Sequence, residues 1–174
     1  MKENRKPQLN GAKGFSNDFK TNYNNILPSH LSELKQFVGF NSKKIPINPI
    51  DGTFASSTNP QTWGTFAEAK QAVEKHPQVI GIGIVLGNTP YGNLCGLDID
   101  DCIDSDGNIA PEAQELVDLL DSYTEISISG TGVHVLFFAE KITEKCKNTN
   151  LEWCKALELY DKDRYFTLSG RRIN

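Results

Sequence analysis

The chain has 174 residues, 38% of them hydrophobic and 23% charged, with a formal net charge of −4, which is the profile of one soluble globular domain with a real core. No stretch is apolar and long enough to cross a bilayer, and the first residues lack the apolar centre of a signal peptide. The sequence therefore reads as cytoplasmic, with no membrane partner.

Residues 1–25 are polar, rich in Asn, Lys and Gly, and carry a net +3, leaving −7 for residues 26–174. That composition predicts a flexible tail ahead of one folded domain. LPSHLSELKQFVGF reads as a short helix capped near Ser29, running into a strand around Phe37–Phe40. SKKIPINPIDG follows as a proline-broken extended segment and turn. Thr65 and Glu68 then form a capping box ahead of the apolar stripe Phe66, Ala69, Ala72 and Val73, and Pro77 ends that helix. VIGIGIVLG is a short β-rich run that closes at Gly87 in a turn through NTPYGN.

NLCGLDIDDC is read as the next strand, and it places Asp98 and Asp100 inside a run that is otherwise apolar. Aspartate is a poor strand residue, and an unpaired buried carboxylate is costly. At spacing i, i+2 the two acids share one face, with Leu97 and Ile99 on the other, and they can converge on one cation. PEAQELVDLLDSY is an amphipathic helix with Pro111 in its first turn and Ala113, Leu116, Val117 and Leu120 on one face. TEISISGTGVHVLFFAE reads as two strands around a glycine turn, and KALELYDKDRYFTLSG as two more joined by the polar turn DKD. The order is mixed α and β without an internal repeat.

Alternation puts Glu125, Ser127 and Ser129 on one face of their strand, brings His134 in just after SGTG, and sets Glu158 opposite to Leu157 and Leu159. Several neighbouring strands thus offer polar side chains to one open sheet face. Carboxylates for divalent cations, glycine-flanked hydroxyls for phosphates and a histidine donor are what metal-dependent phosphate chemistry requires. Taken singly, each has a plainer explanation: a solvated acid, a structural histidine, a hairpin turn.

Several other templates fail. Cys95, Cys102, Cys146 and Cys154 contain no CxxC pair, which favours free thiols over a zinc knuckle or a disulfide framework. DIDDCIDSDGNIAPE imitates a calcium loop, with Gly107 sixth and Asp104 and Asp106 third and fifth. Cys102 then stands first, however, and Ala113 occupies the twelfth position, where a bidentate Glu is required. Asp104 to Asn108 therefore reads as a polar turn. There is no GxxxxGK[ST] loop, no G-x-S-x-G elbow and no H-E-x-x-H helix.

The ordered set KKIPINP, STNPQTWGTFAEA, GLDIDD, SISGTGVHVLF and ALELYDKDRYFTLSG, spanning about residues 34–170, resembles the bifunctional primase–polymerase domain of phage and plasmid replication proteins. That domain belongs to the archaeo-eukaryotic primase superfamily. The resemblance implies an α+β fold, in which a catalytic sheet like that of the RNA-recognition motif carries a small N-terminal α/β unit. It implies that Asp98, Asp100 and Glu158 bind Mg2+ or Mn2+. It also implies that His134, with Ser127, Ser129, Gly130 and Gly132, contacts the phosphates of the incoming nucleotide, and that Lys44 and Arg164 are further triphosphate contacts. The implied activity is DNA priming or polymerisation, or both. The implied partners are nucleoside triphosphates, a single-stranded DNA template and a helicase domain or protein. Two other readings fit the same residues: a non-catalytic nucleotide- or DNA-binding module of a replication initiator, and a metal-dependent phosphohydrolase.

Overall fold

The computed structural model describes residue 23, residues 27–140 and residues 146–173. Among these, strands β1 (Phe37–Phe40), β2 (Pro46–Ile47), β3 (Gly81–Val85), β4 (Gly87–Thr89), β5 (Gly92–Asp100), β6 (Tyr123–Ile126), β7 (Val133–Phe138), β8 (Lys147–Leu151), β9 (Cys154–Tyr160) and β10 (Tyr165–Leu168) form two sheets. The smaller has the order β10-β3-β1-β2, and the larger runs β6-β7-β5-β9-β8 with β4 hydrogen-bonded to β5. Every pairing is antiparallel. The fold is mixed α+β, as expected.

Helix α2 (Phe66–Lys75) starts where the sequence predicts. The Thr65 hydroxyl accepts from Glu68 N at 3.2 Å, while the Glu68 carboxylate accepts from Thr65 N at 2.7 Å, satisfying two donors that a helix end would otherwise leave unpaired. Helix α3 (Pro111–Leu120) buries Ala113 and Val117. The first helix, α1 (Ser29–Ser32), corrects one expectation. Ser29 is its first helical residue, the cap position is Pro28, and no side chain caps it.

Three apolar clusters result among the described residues, the smallest being Ile47, Ala72 and Val79. The largest joins Phe66 and Ala69 of α2 to Ile82 and Ile84 of the small sheet, to Leu94, Tyr123 and Leu136 of the large one, and to Phe166 and Leu168 of β10. The second lies on the opposite face of the large sheet, where Leu97, Ile99, Val133 and Val135 meet Ala113 and Val117 of α3. Tyr23, inside the segment read as a tail, is buried, and its hydroxyl accepts from Ile82 N at 3.3 Å. Packing against the body thus begins before residue 26. The rest of the expectation for residues 1–25 lies outside the described residues.

The DKD segment is the polar turn expected between two strands, but those strands do not pair with each other: β9 pairs with β5 and β8, whereas β10 crosses to the small sheet and pairs with β3. That crossing carries Phe166 and Thr167 over the face of β5 that bears the two aspartates. Asp104 to Asn108 is the turn expected of it, with Asp104 Oδ1 accepting from Asp106 N at 2.9 Å and Asn108 N at 2.8 Å.

Candidate active site

Strand β5 changes character along one face. Leu94 and Gly96 are sealed against the small sheet. Gly96 has to be a glycine, because a Cβ there would stand 2.6 Å from the Phe166 ring and 2.9 Å from Leu86. Two residues on, the same face emerges from the core at Asp98 and then Asp100, both half-buried.

Register builds the rest. Asp98 lies directly opposite His134 on β7 and opposite Glu158 on β9. His134 in turn lies opposite Glu125 on β6, and Glu158 opposite Lys147 on β8. Residues paired in this way share a face with Cβ atoms roughly 5 Å apart. One row therefore crosses five strands as Glu125, His134, Asp98, Glu158, Lys147, with Asp100 one step along β5.

The acids in the middle of the row converge. Asp98, Asp100 and Glu158 each offer an oxygen, and the three lie within 4.8 Å of one another. Asp98 Oδ1 is buried without a hydrogen-bond partner, and its near neighbour is His134 Nε2 at 3.5 Å. Burial raises the Asp98 pKa, and the charges of Asp100 and Glu158 push the same way against the opposing pull of His134 and Lys44. An orphaned buried oxygen inside an all-carboxylate group of this size fits a hard divalent cation, whose ligands are oxygens and whose charge offsets the repulsion. Glu158 is also held from the edge of the sheet: Lys147 Nζ pairs with its Oε1, and Tyr160 Oη donates to its Oε2 at 3.2 Å.

His134 is buried and gripped from several sides. Its Nδ1 faces two acceptors, the Thr167 carbonyl at 3.2 Å and Glu125 Oε1 at 3.8 Å, and its ring packs on Phe166 with centroids 4.9 Å apart. Burial disfavours the charged imidazolium, but the neighbouring carboxylates of Glu125 and Asp98 and the Thr167 carbonyl outweigh it, so the His134 pKa is raised.

In front of the row is an open cavity of about 320 Å³, lined by Lys44, Asp98, His134, Glu158, Tyr160, Arg164, Tyr165, Phe166 and Thr167. Lys44 takes a left-handed backbone conformation (φ 56°), and its carbonyl accepts a hydrogen bond from Tyr165 Oη. The Arg164 guanidinium lies over the Tyr160 ring, 4.9 Å from its centroid. Cations and acids thus line the same cavity, as a charged ligand bound through metal would require.

Of the residues singled out from sequence, Lys44, Asp98, His134, Glu158 and Arg164 line this cavity, and Asp100 joins the acid group. Ser127, Ser129, Gly130 and Gly132 do not line it. They form a turn closed by Ser127 N donating to the Gly132 carbonyl at 2.8 Å, with the two serine hydroxyls 2.9 Å apart. The turn abuts the end of β5, since a Cβ on Gly132 would lie 2.6 Å from the Ile99 carbonyl, and Thr131 Oγ1 donates to Asp101 Oδ1 at 2.7 Å. Sequence reasoning missed Lys147, Tyr160, Tyr165 and Thr167, and it noted the face of Glu125 without giving that residue a role. The signal available for Glu125 was its alternation with Ser127; its two backbone donors come from residues more than forty positions away.

No protein-family profile matches the chain. Over 129 residues it is 37% identical to the DNA primase-polymerase of Nitratiruptor phage NrS-1. The match takes in 73% of this chain and spans 17% of that relative's length.

Proposed function

We propose that this chain, a member of the phage primase-polymerase family over the residues matched to that relative, catalyses metal-dependent nucleotidyl transfer in DNA synthesis, by priming, extension or both. The observation that carries the reading is the convergence of Asp98, Asp100 and Glu158 beside His134, in a cavity that also exposes Lys44 and Arg164. The strand order adds support. Reading β9-β5-β7-β6 with α3 connecting β5 to β6 matches the arrangement expected of a sheet like the RNA-recognition motif, with the small sheet and α2 contributing the accessory α/β unit. Residues 26–174 are then the catalytic domain, packed against Tyr23, with a polar tail ahead of it.

In this reading the 3′ hydroxyl of a primer strand or a first nucleotide attacks the α-phosphate of a nucleoside triphosphate, and pyrophosphate leaves in line. Mg2+ or Mn2+ held by Asp98, Asp100 and Glu158 supplies, when bound, the Lewis acidity that activates the attacking oxygen and stabilises the leaving one. His134 Nε2 stands beside Asp98 on the cavity wall and is the ring nitrogen left to donate to the triphosphate, because Nδ1 faces Thr167 and Glu125. Lys44 and Arg164 offset phosphate charge from elsewhere on the cavity wall. Arg164 is steadied by Tyr160. The Ser127–Gly132 turn presents hydroxyls and backbone N–H groups beside the end of β5, where a phosphate or the template backbone can rest. Single-stranded DNA is the template in this scheme, and a helicase is a partner for it.

A radiolabelled nucleotide assay with and without primer tests the reading. Extended strands are expected with Mg2+ or Mn2+ and are lost in Asp98→Asn. Released phosphate without extension would favour a phosphohydrolase, and binding without product a non-catalytic module.

A further inference from the structure

Glu125 is an anomaly that nucleotidyl transfer does not use. It is fully buried in the large sheet, and a carboxylate removed from water costs several kcal/mol unless it is completely partnered. Its partners come from three directions. Tyr123 Oη donates to Oε2 at 2.8 Å, Ser169 N to Oε1 at 2.8 Å, and Gly170 N to Oε2 at 3.0 Å. A further neighbour is His134 Nδ1, 3.8 Å from Oε1.

The backbone donors belong to a strap, residues 169–173, that follows β10 and lies along the free edge of β6. Ile126 N donates to the Arg171 carbonyl at 2.9 Å, Ile173 N donates to the Thr124 carbonyl at 3.0 Å, and Glu125 and Arg172 form an isolated antiparallel bridge. Arg171 also donates from its guanidinium to the Ser127 carbonyl. The strap therefore touches the row behind His134 and the Ser127–Gly132 turn at once. Phe166 and Thr167, which grip the other sides of the His134 ring, lie just upstream of it.

Resting on the functional reading above, we propose that Glu125 is a positioning residue for the nucleotide pocket: it holds the His134 ring from the buried side and ties it to the backbone of Ser169 and Gly170, so that docking of the strap sets how His134 meets the triphosphate. A structural role alone would need only the strap and Tyr123. Placing the acid opposite the histidine, with Nδ1 facing Oε1 and the Thr167 carbonyl, turns the ring so that Nε2 meets Asp98 at the cavity wall.

The test is the full chain carrying Glu125→Gln, which keeps the shape and one acceptor oxygen. The readouts are nucleotide KM and kcat beside the ring-nitrogen NMR signals of His134 in protein labelled at histidine and free of metal. KM is expected to rise about ten-fold, the scale of one buried charge contact on the imidazole, and the His134 ring signals to shift. Tyr123→Phe, which loosens Glu125 without removing it, should move both readouts the same way by about two- to three-fold. It also keeps the question open to test if Glu125→Gln fails to fold. Wild-type KM and unshifted ring signals in either variant, with only the melting temperature lowered, would overturn the proposal. If His134→Ala also bound nucleotide like the wild type, the functional reading would fall with it, whereas normal KM in the Glu125 and Tyr123 variants alone removes only the positioning role.

Discussion

Glu125 and Asp98 flank His134 on neighbouring strands, at the same level of the same sheet face, and they live in opposite conditions. Glu125 sits where water does not reach and has a donor on each oxygen. Asp98 is more exposed, yet it keeps an oxygen with no hydrogen-bond partner and has two further acids beside it. A carboxylate that serves the fold is satisfied by the fold. One that serves a ligand is left short, and the deficit is what the ligand fills.

The largest expected effect tests that contrast at Asp98. Asp98→Asn should lower nucleotide incorporation by roughly a thousand-fold, the cost of losing a metal ligand at the reacting centre under the proposed function, yet without metal it should melt at the same or a higher temperature. The sign follows from the raised Asp98 pKa. Ionisation penalises the folded state once pH climbs from the unfolded value of 3.8 through the raised folded value, so the stability gain of Asn is present at neutral pH and vanishes below that window. Melting curves at pH 3.5 and pH 7, with and without Mn2+, check this, and a mutant less stable than the wild type at pH 7 would break the comparison.

Glu125→Ala should do the reverse. It strands Ser169 N, Gly170 N and the Tyr123 hydroxyl in the interior, for a loss of about 3–5 kcal/mol in denaturant unfolding. A near-neutral result would mean that the strap finds other partners.

The smallest effect sharpens the contrast at the exposed end of the row. Lys147→Ala frees Glu158 from its pairing, so Mn2+ affinity measured by calorimetry should tighten by about two- to three-fold, the scale of one exposed ion pair. Weaker Mn2+ binding would instead make Lys147 a support for the metal geometry.

How far the sequence foretold this contrast depends on distance along the chain. Asp98 and Asp100 were legible because a period of two and the poor strand propensity of aspartate act locally. The capping box at Thr65 and Glu68 was legible for the same reason. Alternation already put His134 and Glu158 on the open face, but only the resemblance to primase–polymerases gave each a specific role, since alternation names a face and not strand neighbours. Lys147 was hidden because KNTNL is a polar, mostly exposed edge strand with none of the β-branched apolar pattern that marks a buried one. The crossing of β10 was not legible, because a polar turn between two β-rich runs looks the same whether the second run pairs back or leaves for another sheet. Glu125 lost its role for a related reason: what distinguishes it from a solvated acid is two backbone amides 44 and 45 residues downstream.

That crossing has a consequence in time. The hydrogen bond from Tyr165 to the Lys44 carbonyl spans 121 residues of sequence, and β10 reaches the small sheet only after every strand of the large one has been made. Long-range antiparallel pairing of this kind closes slowly and late. During synthesis the acids of β5 emerge well before the strand that roofs them, so the ribosome-bound chain carries its charge cluster without a pocket. A nascent chain arrested before Tyr165 should therefore hold the three carboxylates in an open sheet, and competence for nucleotide would begin with the arrival of one short strand.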